Sequence, residues 1–369
     1  VLLRRVCGHA GVINSRALSL LPAEITAKES PQNGLIREQA LWKTEDLIPR
    51  DLAFLKQDFW EVLTQISALG ITSVHEMIDG EETLELLDRA GSLPLDIFCY
   101  LPLAMSDRFG EIRRYFQAKK GRVEVVGVKI FADGSIGAGT AALEKPYRGE
   151  PENRGSLLFS DREMGECLEN MVRLGVPFAI HAIGDRAISQ ILAVAPGTRK
   201  AGGLRERPHG WNRIEHAELL RNDHLEGVKR GGFSLSMQPN FVANWQAPGG
   251  LYEQKLGKRG RQANPFRQVW DAGIPLCFGS DSMPPGPLLG IQGALYHPVA
   301  AQRLSLWQAV LAYTRGSADA ISRETSIGSI AVGCQADLVA VTPDFVESPD
   351  AAVIVMTVKA GEVVYSQAG

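Results

Sequence analysis

Four polar side chains sit where strand-like runs end or near it. Lys129 lies within Val125-Val126-Gly127-Val128-Lys129-Ile130-Phe131. His181 closes Val176-Pro177-Phe178-Ala179-Ile180, His216 closes Arg213-Ile214-Glu215, and Asp281 follows Pro275-Leu276-Cys277-Phe278-Gly279-Ser280. Two imidazoles and a carboxylate are nitrogen and oxygen donors suited to a divalent ion, zinc first, with manganese and iron accepting the same set. An ammonium has no lone pair to offer a metal. Lys129 can join such a set only by taking up carbon dioxide as a carbamate; otherwise it stays charged and pairs with a carboxylate. Taken singly, each residue has an ordinary structural explanation: a satisfied core histidine, a turn-forming aspartate, a buried ion-pair lysine. One at each of four strand ends is the pattern that argues for a shared site.

The elements that must position them alternate between two periods. Leu52, Leu55, Phe59, Val62, Leu63, Ile66 and Leu69 recur at helical spacing, and Gly70 stops that helix. A short β-branched run follows at 71–74, and further strands are expected at 95–101, 123–131, 176–181, 213–216, 233–237 and 274–278. Helical stretches separate most of them, and a last helix is expected over 306–320. Such alternation implies right-handed βαβ units and a parallel sheet. Seven strands are counted where a closed barrel needs eight. No GxGxxG or GxxxxGK[ST] loop supports an open nucleotide-binding sheet. Near the end, 336–341, 353–358 and 363–365 read as strands, with a hairpin turn at Lys359-Ala360-Gly361-Glu362. Asp185 is expected to cap the helix after His181, and the glycine-rich 133–140 to be a mobile lid. His75-Glu76 is expected to support the site or to lie on the surface. The basic run 257–261 reads as a solvated loop.

The chain has 369 residues, 45% hydrophobic and 22% charged, which excludes a disordered or fibrous protein. Thirty-nine basic against 42 acidic residues leave a net charge of −3, so no field of one sign is available to draw nucleic acid or an anionic membrane. A small-molecule substrate is the expected partner, and homo-oligomer formation is left open. The five cysteines, Cys7, Cys99, Cys167, Cys277 and Cys334, are scattered without a CxxC pair. They read as free thiols of a reducing, cytoplasmic compartment. The first residues are too short and too charged for a signal-peptide core.

The motifs resemble those of the amidohydrolase superfamily of metal-dependent hydrolases. They are most similar to amidohydrolase family 3, which includes N-substituted formamide deformylase-like enzymes. The carrying segments are Gly8-His9-Ala10, Asn14-Ser15-Arg16-Ala17-Leu18, Gly70-Ile71-Thr72-Ser73-Val74-His75, and 128–135 through 140–143 to Pro146-Tyr147. They continue through His181-Ala182-Ile183-Gly184-Asp185, Arg213-Ile214-Glu215-His216-Ala217, Gln238-Pro239 and Gly279-Ser280-Asp281-Ser282 to the tail Ala336-Asp337-Leu338-Val339. The resemblance implies a (β/α)8 TIM-type barrel over 1–325 and part of a small β-sandwich over 326–369. It also implies one or two divalent metals, with Lys129 (as a carbamate or not), His181, His216 and Asp281 as ligands. His9, Asp133 and Gly134 are implied to lie near the substrate.

One motif of that superfamily, a His-x-His ending the first strand, does not occur among the seven histidines. The resemblance therefore implies either a first strand outside these residues or a catalytically silent relative that binds a ligand or partner. With the site complete, the implied reaction is hydrolysis of a C–N bond, with Asp281 as base and then acid.

Overall fold

The computed structural model describes residues 1–5, 8–23, 33–45, 47–48, 52–195 and 212–367, with the backbone alone for 52–57. Cys7, His209, nearly all of the predicted 198–212 loop and the side chains of Leu52 and Leu55 lie outside the described residues.

A small antiparallel sheet comes first: β1 (Leu2–Arg4), β2 (Ala10–Ile13) and β3 (Leu35–Arg37), in the order β1-β2-β3. Its core is Ile13, Leu21, Ile36, Ala40 and Leu41. This sheet escaped the sequence reading because strands of three or four residues carry too few positions for an alternation to register.

Seven parallel strands follow: β4 (Ser73–Met77), β5 (Asp96–Pro102), β6 (Val123–Phe131), β7 (Phe178–Ala182), β8 (Arg213–His216), β9 (Ser234–Met237) and β10 (Leu276–Phe278). They pair in unbroken chain order from β4 to β10, and the sheet curls, as in a TIM-like α/β fold. All five residues of β7 and all four of β8 are buried, as strands covered on both faces must be. Helices such as Phe109–Lys119, Asp161–Leu174 and Asp185–Val194 cover the outside and share one continuous core with the strands. The helix Asp161–Leu174 begins with a capping box in which Ser160 and Glu163 satisfy each other's backbone N–H groups, and it ends on left-handed Gly175.

The C-terminal strands are β11 (Leu338–Val341), β12 (Ile354–Lys359) and β13 (Glu362–Ser366), an antiparallel sheet in that order. The predicted hairpin turn is present, with Ala360 and Gly361 both at positive φ. Thr357 donates to the Ser67 carbonyl at 2.7 Å, and fully buried Lys359 pairs with Asp337 at 2.7 Å and with Asp96 at the start of β5. That ion pair fastens the C-terminal sheet to the parallel one.

Several local expectations are corrected. The last helix is two, Leu306–Tyr313 and Arg315–Asp319, broken at Thr314 where Gly316 packs against the Leu276 carbonyl. The basic run is a 3-10 helix, Gly257–Gln262, whose Arg259 donates to the carbonyls of Lys145 (3.1 Å) and Pro146 (2.5 Å). Asp185 is the first helical residue after Gly184, not the cap, and its carboxylate accepts from the Glu144 N–H at 2.9 Å. The glycine-rich segment is no exposed lid: residues 132–139 are buried and bonded among themselves, with the Thr140 and Ala141 N–H groups both donating to the Ser135 carbonyl.

Candidate active site

Because the seven strands run the same way, their C-terminal ends share one rim. In the pairing of β6 with β7, His181 stands opposite Phe131; in that of β7 with β8, His216 stands opposite Ala182. The two imidazoles meet edge to face with centroids 4.5 Å apart. Both are buried. Burial first, then the neighbouring His216, His9 and Lys129, keeps His181 well below the ordinary histidine range. Burial and then Lys129 lower His216 to about 3. Both rings are therefore neutral at physiological pH and carry one lone pair each.

Hydrogen bonds decide which nitrogen carries it. His181 Nε2 donates to the Gly134 carbonyl at 3.1 Å, leaving Nδ1 as the free acceptor. His216 Nδ1 donates to Gln238 Oε1 at 2.8 Å, and Gln238 Nε2 in turn donates to the Ser236 carbonyl at 3.3 Å, leaving His216 Nε2 free. A ring whose other nitrogen is pinned to a carbonyl oxygen is how proteins orient metal-binding histidines.

His216 and Asp281 share a backbone feature. Each leaves its strand in the left-handed region, with φ of 71° and 50°, and each is followed by a second such residue, Ala217 (48°) and Ser282 (57°). His and Asp enter that region more readily than most residues, but Ala217 and Ser282 do not, and the conformation costs them on the order of 1–2 kcal/mol each. Strain held at two strand ends points to a functional constraint there.

Asp281 lines, with His9, His181, His216 and Glu218, a cavity of about 220 Å³. Its side chain opens on the cavity, where the surrounding protein keeps it from full hydration. That desolvation raises its carboxyl to about 6, with Lys129 opposing. Lys129 itself is buried and is not part of the cavity lining; its Nζ lies 4.9 Å from the Phe131 ring centre, and desolvation lowers its pKa against the attraction of Glu215 and Asp281. The structure thus brings His181, His216 and Asp281 to one cavity, with Lys129 charge-coupled to both histidines and to Asp281.

Asp133 and Gly134 do not line this cavity. Fully buried Asp133 accepts from three backbone N–H groups: Ala142 (2.9 Å), Ile183 (3.0 Å) and Gly184 (2.8 Å). Burial lifts its carboxyl to about 7 against those donors. It joins the segment after β6 to the turn after β7, a scaffolding task that sets the His181 loop. Gly134 is glycine because a Cβ would strike Thr140 Oγ1 and Glu38 Oε1.

Four residues of the site were not singled out in the sequence. Glu38 accepts from His9 Nδ1 at 2.9 Å, and the His9 ring lies 5.0 Å from that of His181. Glu218, buried in the cavity wall, has its carboxyl raised to about 8 by burial. Arg213 and Glu215 form an ion pair inside the sheet, and Arg213 Nη1 also lies 2.7 Å from His75 Nδ1. His75 therefore belongs to the interior and not to the surface. The only sequence signal for any of these was charge within a short segment read as a strand, which Arg213 and Glu215 show.

Whether these residues suit a metal depends on the donors. Two neutral imidazoles present free lone pairs in one cavity with a carboxylate, which fits the imidazole part of a divalent centre. Among the described residues, no three His, Cys, Asp or Glu side chains group closely enough to hold an ion by themselves.

Comparisons with known proteins follow the same line. The pattern of the amidohydrolase family matches residues 1–365. Amidohydrolase YtcJ of Bacillus subtilis (strain 168) is 29% identical over 386 residues, covering 93% of this chain and 69% of that protein. N-substituted formamide deformylase of Arthrobacter pascens is 23% identical over 381 residues, covering 92% and 68%. Among solved structures, an uncharacterized metal-dependent hydrolase from Pyrococcus furiosus superposes with a TM-score of 0.72 at 29% identity, covering 91% of this chain and 70% of that one. Another from Pyrococcus horikoshii OT3 gives 0.73 at 28%, covering 96% and 71%. With the family pattern running over nearly all its residues, this chain belongs to the amidohydrolase family.

Proposed function

We propose that the chain is a metal-dependent hydrolase that cleaves the C–N bond of a linear amide or N-acyl compound. The observation that carries this reading is the pair His181 and His216, each with one nitrogen pinned to a carbonyl oxygen and the other free beside Asp281. Nδ1 of His181 and Nε2 of His216 would hold the ion, zinc being the first candidate. Lys129, as a carbamate or as a neighbouring charge, and Asp281 would complete its surroundings. A bound divalent ion supplies Lewis acidity, polarising a carbonyl and lowering the pKa of a water from about 15.7 to about 7.

The chain's own residues do the rest. The Asp281 carboxylate accepts a proton from the attacking water as the C–O bond forms. It then delivers that proton to the departing nitrogen as the C–N bond breaks, because an amide nitrogen is a poor leaving group without it. His9, held by Glu38 and lining the cavity, orients the substrate. The same reading places an eighth strand with two further imidazoles between β4 and β10, treats 326–369 as part of a small β-sandwich, and locates the protein in the cytoplasm.

The test is release of free amine from a panel of linear N-acyl amines, by protein stripped with a chelator and then reloaded with zinc, manganese or iron. Metal-dependent release supports the reading. Absence of release with an ion bound stoichiometrically overturns it. The lack of a three-residue donor group among the described residues favours a second reading, a family member that binds without turnover. That reading predicts no stoichiometric metal by elemental analysis.

A further inference from the structure

Buried carboxylates in this protein have cationic or donor partners. Glu215 has Arg213, Glu38 has His9, Asp337 has Lys359, and Asp133 has three backbone N–H groups. Glu218 is different. Its side chain is 3% exposed and forms part of the cavity wall, yet no ion pair reaches it among the described residues, and its Oε2 has no hydrogen bond of normal geometry. The Tyr252 hydroxyl lies close enough to that carboxyl for each to shift the other's titration, though neither atom makes a hydrogen bond of normal geometry. Arg5, which also lines the cavity, uses its Nη1 on the Gly137 carbonyl at 2.8 Å.

The wall next to Glu218 is aromatic. Phe241 lies parallel to the His216 ring at 6.0 Å and 12°, Trp245 lies 4.6 Å from Phe241, and Tyr252 lies 6.3 Å from Trp245. A row of rings thus leads from the imidazole pair to the orphaned carboxyl. A buried carboxyl without a cationic partner, beside aromatic faces that attract cations, is matched by a positively charged nitrogen bearing N–H groups.

We infer that Glu218, with the Tyr252 hydroxyl and the aromatic wall, forms a subsite for a cationic amino group of the substrate. The inference rests on the reading of this cavity as the substrate site and narrows the substrate class: an amide or N-acyl group at the histidines, joined to an ammonium at Glu218.

Binding, measured by calorimetry, tests it without turnover. The probes are benzylammonium and benzyl alcohol, nearly isosteric and different in charge, titrated into the full chain and into Glu218→Gln and Asp281→Asn. The wild-type chain should prefer the ammonium by about 10- to 100-fold, the range expected of one charge-assisted hydrogen bond. That preference should vanish in Glu218→Gln and survive in Asp281→Asn. Equal affinity of the wild-type chain for the two probes overturns the inference even if Glu218→Gln fails to fold. A preference lost in Asp281→Asn and kept in Glu218→Gln overturns it as well. Failure to release amine from any N-acyl compound would sink the proposed reaction and leave this binding result standing.

Discussion

Strand β8 carries two polar groups that share a backbone and differ in how they are satisfied. Arg213 and Glu215 bind each other, Arg213 also reaches His75, and its guanidinium carbon lies 4.5 Å above the Tyr100 ring. That cluster is closed: its charges are met within the protein. One residue on, His216 turns out of the strand at positive φ and joins His181, Asp281 and Glu218 around a cavity where a lone pair on each ring and an oxygen of Glu218 are left open. Burying polar groups without partners costs on the order of 1–3 kcal/mol each. A closed cluster explains itself as structure; an open one needs a ligand.

The comparison breaks or sharpens at several points. The largest effect is expected from Asp281→Asn, which removes the proton carrier. Amine release should fall by about 10²- to 10⁴-fold, the usual contribution of general acid–base catalysis, with the thermal melt close to wild type. Unchanged turnover would remove Asp281 from the mechanism. Next comes Arg213→Met, which strands Glu215 inside the sheet. Stability should drop by about 3–5 kcal/mol in denaturant titration, and adding Glu215→Leu should restore most of it. If the single variant is as stable as wild type, the closed cluster is not closed in the sense argued here.

A smaller loss is expected for Asp133→Asn. An amide nitrogen would then face a backbone N–H, costing about 1–3 kcal/mol, and the His181 loop should loosen in hydrogen exchange before the rest of the barrel. Uniform exchange would count against a positioning role for Asp133.

The subtlest effect is on pH. Burial would raise the Glu215 carboxyl, but Arg213 and then Lys129 outweigh it and hold it at about 2, below its ordinary 4.5. A lowered carboxylate stabilises the fold fully above the unfolded value and loses that contribution as pH falls from 4.5 towards 2. The stability difference between wild type and the Arg213→Met/Glu215→Leu double variant should therefore shift against wild type over that window and stay flat above it. A difference independent of pH would show that Glu215 titrates normally.

Much of the parallel sheet was legible in the sequence. The 123–131 and 213–216 strands match their predicted bounds, and the other parallel strands lie within two residues except β4, which runs three residues further, to Met77. The helix break at Thr314 was not legible, since it answers to a carbonyl on β10, far away in the chain. Nor was the packing of the glycine-rich segment: its composition suggests freedom, while its burial comes from Asp133 and neighbouring turns. At the site, His181, His216 and Asp281 were visible as polar residues at or just beyond the ends of strand-like runs. Glu38 and Glu218 were not, because neither ends a strand of the barrel, and the groups that give them meaning, His9 and Tyr252, are 29 and 34 residues away in sequence.

By itself, the sequence determined that alternating strands and helices would pair in parallel and that polar residues at the strands' C-terminal ends would therefore share one rim. Period and direction are local properties, carried by neighbouring residues. Only the tertiary structure decided which nitrogen of each imidazole faces the cavity, that Asp133 binds backbone N–H groups, and that Glu218 stands in the cavity wall without a cationic partner. Those outcomes depend on hydrogen bonds between residues from different elements, and whether a buried polar group is satisfied is known only once every element around it is in place.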